Sequence, residues 1–122
     1  MLKNDSGIKQ VSGITQQEEQ RIIDFLQGAV YCWCNNKEDE WFTFRDFMGG
    51  KNFFWQGTPL LVLYDKHKKD GKSDDDSFKG AKLDAGSLLK KVLHKDSRWF
   101  DDKKTKKPGS EYEIKMYKWD ST

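Results

Sequence analysis

Basic side chains are concentrated between residues 79 and 107, and their positive charges are the groups of this chain best suited to bind phosphate. This segment holds ten Lys or Arg residues against four Asp, a net charge of about +6, whereas the whole chain carries a formal charge of +2. The rest of the chain is therefore net acidic, at about −4. A local patch of this kind attracts a nucleic-acid backbone even when the total charge is nearly balanced.

Zinc is the first alternative chemistry to consider, because Cys32, Cys34, His67 and His94 are all residue types that bind it. On a helix, however, two cysteines separated by one residue point their thiols about 200° apart. No second Cys or His pair completes a tetrahedral site. We therefore expect no metal and no cofactor. Two free thiols without an export signal at the start of the chain favour a reducing, cytoplasmic location.

Catalytic patterns are weak throughout the chain. Glu113-Ile-Lys115, with Asp101 or Asp102 upstream, is similar to the acidic pair and lysine of many metal-dependent nucleases, but an exposed strand face explains these residues equally well. Asp74-Asp75-Asp76 lacks the spacing of a calcium loop. No nucleophile elbow, phosphate-binding glycine loop or dinucleotide fingerprint is present. We therefore expect a binding protein and not an enzyme.

Most of the elements that would position these residues are predicted to be helices. Thr15 and Glu18 have the spacing of a capping box, and Asn35-Asn36 is a plausible helix end. Between them, apolar residues recur at the spacing of one buried helical face: Ile22, Phe25, Leu26, Ala29, Val30 and Trp33. Trp41-Phe42 is predicted to form a short strand. Thr43 is predicted to cap a brief helix over 44–48, ended by Gly49-Gly50.

The second half of the chain is predicted to add two helices and a hairpin. Thr58-Pro59 predicts a helix start, and Gly71 its end, with a mobile charged loop over 66–76. Ser73 to Gly80 could add a turn or two of helix. The basic helix is predicted over Asp84–Asp96, with its leucines inward. The alternation from Glu111 to Trp119 predicts a strand that pairs back to 98–101 across the Pro108-Gly109 turn.

Composition and length indicate one domain. Residues 1–13 are polar and contain glycine, so we expect a disordered tail followed by a single domain over 14–122. Eight Phe, five Trp and four Tyr supply a core although only 35% of residues are apolar. The Phe53-Phe54-Trp55 cluster is expected to lie in that core; the alternative is an exposed surface that stacks on single-stranded bases. No apolar run approaches the length of a membrane span, so no membrane association is expected.

This order of elements, with a basic helix before a hairpin that has a basic tip, resembles the winged helix-turn-helix fold over residues 15–119. The fold class expected is therefore α+β, with three or four helices and a C-terminal β-hairpin. The resemblance implies that the 84–96 helix lies in the major groove of DNA and that the hairpin, or wing, contacts the backbone. The residues implied in DNA binding are Ser87, Lys90, Lys91, His94, Lys95, Arg98, Lys103, Lys104, Lys106 and Lys107.

The function expected is therefore nucleic-acid binding, to double-stranded DNA before single-stranded, in a regulatory or accessory role such as replication or transcription of a mobile element. Arg98 is the one arginine of this region able to contact guanine in a bidentate manner. Three or four lysine contacts give weak binding, which favours a homodimer. The alternative is a winged-helix adaptor that binds a protein partner through aromatic or acidic surfaces.

Overall fold

The computed structural model describes residues 1–4, 7–37, 39–49, 54–106 and 113–121. These residues form a mixed α+β fold, in which helices are followed by a C-terminal antiparallel hairpin, as the sequence predicts. The elements are α1 (Gln16–Asn36), α2 (Phe44–Met48), α3 (Leu61–Lys69), α4 (Asp74–Lys95), β1 (Trp99–Lys106) and β2 (Glu113–Asp120).

The first two helices begin and end where the sequence predicts. At the start of α1, Thr15 Oγ1 accepts from the Glu18 backbone N–H at 3.1 Å, and Glu18 Oε1 accepts from the Thr15 N–H at 2.8 Å. This reciprocal pair satisfies two N–H groups that would otherwise lack partners. Before α2, the Thr43 N–H donates to Asp46 Oδ2 at 2.7 Å. Helix α2 ends at Gly49, whose φ of 80° suits a residue without a Cβ.

The loop predicted over 66–76 is wrong, because α3 continues to Lys69 and α4 begins at Asp74. Ser73 Oγ accepts from the Asp76 N–H at 3.1 Å and so caps α4. Three aspartates occupy the first turn of α4, where the positive end of the helix dipole favours them. The connection is thus a tight turn over 70–73, in which Gly71 has a φ of 83°.

Helix α4 also begins ten residues before the predicted Asp84 start. Asp84 lies in the middle of the helix and caps nothing. Its Oδ2 atom lies 2.8 Å from Lys66 Nζ and 2.8 Å from His67 Nε2, both on α3. Helix α3 itself begins at Leu61, after Thr58 Oγ1 has accepted from the Leu60 N–H at 3.2 Å.

The described residues of the N-terminal segment, for which the sequence predicts a disordered tail over 1–13, pack against the domain. Leu2 is 5% exposed and forms a parallel bridge with Phe100 of β1, and Val11 is buried as well. The carbonyl of Ser12 accepts from Lys66 Nζ. These apolar and polar contacts hold residues 1–4 and 7–13 along the surface without helix or strand structure.

The hairpin pairs Phe100 with Trp119, Asp102 with Tyr117 and Lys104 with Lys115. The strand predicted at Trp41-Phe42 is a single antiparallel bridge, in which Phe42 and Tyr117 exchange two N–H···O bonds of 2.8 Å. One bridge therefore flanks each edge of the hairpin.

The core lies around α4, which packs against α1 and α3. Its buried residues are Ser77, Ala81, Ala85, Leu88, Leu89, Val92 and Leu93. The predicted aromatic cluster divides: Trp55 is 3% exposed and packs edge-on against Phe44 and Phe78, whereas Phe54 is 77% exposed. Phe53 lies outside the described residues.

Gly80 marks the close approach of α3 and α4 and gives a test of this packing. A Cβ at residue 80 would lie 2.7 Å from two atoms of the His67 ring, which Asp84 and Lys72 hold by hydrogen bonds. We expect Gly80→Ala to lower the free energy of unfolding by about 1–3 kcal/mol through overpacking. Gly86→Ala, which meets open space, should raise it by up to about 1 kcal/mol. Chemical denaturation measures both, and equal stability of the two variants would contradict the packing.

Candidate nucleic-acid interface

The predicted DNA-binding residues of α4 are only partly exposed. Ser87 is half-buried and its Oγ donates to the Leu83 carbonyl at 3.1 Å. Lys90 is half-buried as well, and its Nζ donates to the carbonyl of Gly7 in the N-terminal segment. His94 and Lys95, in the last turn, are exposed. The C-terminal end of α4 is therefore the part of the predicted helix most open to a ligand.

The side chain of Lys91 lies at the contact between α4 and α1. Its Nζ lies 3.0 Å from Glu19 Oε2 on α1, and the two side chains are 20% and 17% exposed. The spacing along α4 that brings Leu88 and Val92 into the core also brings Lys91 to the edge of α1. This ion pair joins the two longest helices, and it occupies the ammonium group that was expected to bind phosphate.

Arg98, for which a contact with guanine is predicted, forms an ion pair inside the fold. Its Nε and one terminal nitrogen donate to the two oxygens of Asp96 at 3.0 and 2.8 Å. The guanidinium carbon lies 4.3 Å from the ring centre of Tyr31 and 5.3 Å from that of Trp119. A paired and stacked guanidinium of this kind positions the chain and leaves no free fork for a base.

Asp96 connects this arrangement to α1. Its side chain is 1% exposed, and Oδ2 also accepts from Gln27 Nε2 at 3.0 Å. Burial raises the pKa of Asp96, but the hydrogen bonds from Arg98 and Gln27 outweigh burial and hold the pKa at about 2. The carboxylate is therefore charged under all physiological conditions.

The hairpin lysines are the most accessible of the predicted residues. Lys103, Lys104 and Lys106 are exposed along β1, whereas Lys107 lies outside the described residues. Lys103 Nζ lies 4.1 Å from the ring centre of Trp41, a contact that leaves its charge in place. Lys104 Nζ lies 3.7 Å from Glu113 Oε2, but both side chains are more than 60% exposed, so this pair is weak.

All four aspartates of the basic segment are paired with cations, and three of those cations come from outside residues 79–107. The pairs, with their N···O distances, are Asp84 with Lys66 at 2.8 Å, Asp96 with Arg98 at 2.8 Å, Asp101 with Lys3 at 3.0 Å and Asp102 with Lys115 at 2.8 Å. By contrast, Lys95, Lys103 and Lys106 form no ion pair with any described carboxylate. The negative charge of the segment is therefore compensated inside the domain, while much of its positive charge faces solvent.

The beginning of α4 has the opposite character. Asp74, Asp75 and Asp76 are exposed in its first turn, and Asp74 is the one of the three that forms an ion pair within the described parts of the chain, with Lys68 at 2.7 Å. In helix-turn-helix proteins the first residues of the recognition helix contact base edges. Three carboxylates there repel phosphate, so this end of α4 is poorly suited to enter a groove.

Further cations lie near this part of α4, and the sequence interpretation missed their grouping. Arg45 of α2 is close enough to Lys82 to act on its charge, as is Lys79, three residues before Lys82 on α4. The signal available in the sequence was the Lys79/Lys82 spacing, which puts both on one helical face. The contribution of Arg45 depends on tertiary packing that no local pattern reveals.

In the described parts of the chain, no three His, Cys, Asp or Glu side chains are grouped as metal ligands. Cys32 is exposed and Cys34 buried, and both are free. No helix among the described residues combines the length and apolar character needed to cross a membrane.

Comparison with known proteins gives no further guide. No protein-family model matches the chain, and no curated protein or solved structure matches it either.

The contribution of the Asp96–Arg98 ion pair to stability can be tested by substitution. Asp96→Asn leaves the Arg98 guanidinium, 15% exposed, without its carboxylate, so we expect a loss of about 3 kcal/mol in unfolding free energy. Asp101→Asn is the matched control. Its pair with Lys3 is about 40% exposed, and its loss should cost below about 1 kcal/mol.

The same pair predicts a pH dependence. The pKa of Asp96 is lowered from 3.8 to about 2 by folding, so its stabilisation is complete above pH 3.8 and is lost as the pH falls through about 2. The difference in unfolding free energy between the wild type and Asp96→Asn should therefore shrink across this range. A difference that stays constant between these pH values would contradict the assignment.

Proposed function

We propose that this protein binds double-stranded nucleic acid, DNA in the first place, through a basic face. The basic face consists of His94 and Lys95 at the end of α4 and of Lys103, Lys104 and Lys106 on β1. The observation that carries the proposal is the internal pairing of all four aspartates in the basic segment, while these lysines remain exposed. Exposed lysines on a hairpin and a neighbouring helix end suit a phosphate backbone.

A winged helix-turn-helix arrangement is part of this proposal, and three features support it. Helices α3 and α4 are joined by a tight turn that contains Gly71, the length typical of the motif. The hairpin follows α4 directly. Phe42, between α1 and α3, forms an antiparallel bridge with Tyr117 of β2, so a third segment of the chain lies beside the hairpin.

The charge distribution suggests how a duplex would lie. The acidic first turn of α4 disfavours insertion of that end into a groove, so we propose that the helix approaches DNA with its last turn and that the hairpin follows the backbone. Lysines contribute affinity and salt dependence more than base discrimination, and Arg98 is committed to Asp96. The proposed binding is therefore weakly sequence-dependent, which suits an accessory or regulatory protein and needs no catalytic step.

A protein adaptor is the second candidate, and one observation favours it. A groove of about 420 Å³ lies between α1 and α2 and is lined largely by apolar atoms. Its walls include Phe25, Ala29, Trp33, Phe47 and Met48. An apolar side chain of a partner protein would fit such a groove. None of the residues that line the groove belongs to the basic face, so the two functions can be tested with separate substitutions.

Charge reversal on the hairpin tests the proposal. The variant Lys103/Lys104/Lys106→Glu removes three proposed phosphate contacts. Fluorescence anisotropy with a labelled duplex, repeated over a salt series, should show weaker binding and a log–log salt slope smaller in magnitude by about 3. The stoichiometry from the same titration should be two chains per site if the proposed homodimer forms, and one chain if it does not.

The matched control changes net charge equally at three exposed lysines elsewhere: Lys9, Lys37 and Lys69. Reversal of these three should leave the salt slope near that of the wild type. Equal losses in both triple variants would mean that total charge, and not the basic face, attracts the duplex.

A further inference from the structure

Three cations converge near the beginning of α4, outside the basic face. They are Arg45 of α2 with Lys79 and Lys82 of α4, here called the cationic cluster. Lys79 and Lys82 share one face of α4, and Lys82 Nζ lies 4.4 Å from the ring centre of Phe78. None of the three forms an ion pair with a carboxylate among the described residues. Within the described part of the chain, these three like charges therefore lie near one another without an ion pair to a carboxylate.

This convergence has a cost that an anion would relieve. Burial and then the positive charges of Arg45 and Lys79 lower the pKa of Lys82, so the ammonium group is less stable here than in water. In the middle of α4, by contrast, Lys91 pairs with Glu19, and Lys90 binds the carbonyl of Gly7. A phosphate oxyanion has the charge and the acceptor oxygens to satisfy the cluster.

Aromatic residues lie directly beneath and beside the cationic cluster. Phe44, adjacent to Arg45, packs edge-on against Trp55 at a centroid distance of 6.0 Å, and Trp55 packs against Phe78 at 6.5 Å. This row is fixed in the fold by its contacts. The neighbour of Trp55 in sequence, Phe54, is instead 77% exposed, although burial of a phenyl ring is favourable.

We infer that the cationic cluster and Phe54 form a binding site for single-stranded nucleic acid. The three cations contact phosphates, and Phe54 stacks on an unpaired base, since exposed aromatic rings beside basic residues serve this purpose in single-strand-binding proteins. An unpaired strand fits better than a duplex because its bases are open to a protruding ring. Asp75 and Asp76 lie in the first turn of α4, one turn before Lys79, so the proposed phosphate path runs from Lys79 toward Lys82 and away from that turn.

The site is separate from the basic face and goes beyond the proposed duplex binding. Lys79 and Lys95 lie at opposite ends of α4, about 24 Å apart at the rise of an α-helix. A single strand held at one end and a duplex at the other would occupy different surfaces. Loss of single-strand binding can therefore be distinguished from loss of duplex binding.

The test uses short labelled oligothymidylate and oligouridylate strands, each with a matched abasic strand, in anisotropy titrations of the full chain. Phe54→Ala should weaken binding of the base-containing strands about ten-fold, the lower part of the range for loss of one stacked base, and leave the abasic strand unaffected. Phe54→Trp should retain binding. Circular dichroism confirms that each variant is folded.

The cations are tested by Arg45/Lys79/Lys82→Gln, which should weaken binding of base-containing and abasic strands alike and lower the salt slope by about 2. The hairpin variant Lys103/Lys104/Lys106→Glu should retain single-strand binding. Binding of oligothymidylate or of oligouridylate that depends on both the cationic cluster and Phe54 supports the inference. Absence of binding by both, or single-strand binding lost in the hairpin variant but kept in the glutamine variant, would overturn it.

Discussion

The bidentate pair between Asp96 and Arg98 is the constraint on which the rest of this structure depends. It lies at the junction where α4 ends and β1 begins, and Gln27 extends it to α1. Stacking on Tyr31 and Trp119 fixes the plane of the guanidinium. The orientation of the hairpin relative to α4 is therefore set by a buried, directional contact and not by the chain connection alone. The exposed lysines of the hairpin can form a defined surface with the end of α4 only if the orientation of the hairpin relative to α4 is fixed.

The same contact shows how charge is distributed in the domain. Aspartates within the basic segment are paired with cations that come mostly from other elements, such as Lys3, Lys66 and Lys115. These pairs join neighbouring parts of the fold and also remove negative charge from the surface beside the lysines. A nearly neutral chain thereby presents separate positive surfaces, at the end of α4 and near its beginning.

Local signals predicted much of the fold, and distant contacts account for the errors. The capping box at Thr15 and the alternation in β2 involve neighbours in sequence, so α1 and the hairpin were predictable. The start of α4 was not, because Ser73 and Asp84 are both good caps, and the partners of Asp84 lie on α3. Exposure of basic residues was the least predictable property of the site. Lys91 and Arg98 look no different from Lys95 in sequence, and only the positions of Glu19 and Asp96 in space distinguish them.

The central claim is that the end of α4 and the hairpin form one basic face that contacts a duplex. The most direct measurement is an NMR titration of the ¹⁵N-labelled chain with a short duplex at low salt, followed through backbone amide shifts. The account predicts that the largest shifts cluster at residues 94–95 and 103–106 and diminish as salt is added. Shifts concentrated along the groove between α1 and α2, or no shifts at a duplex excess, would contradict it.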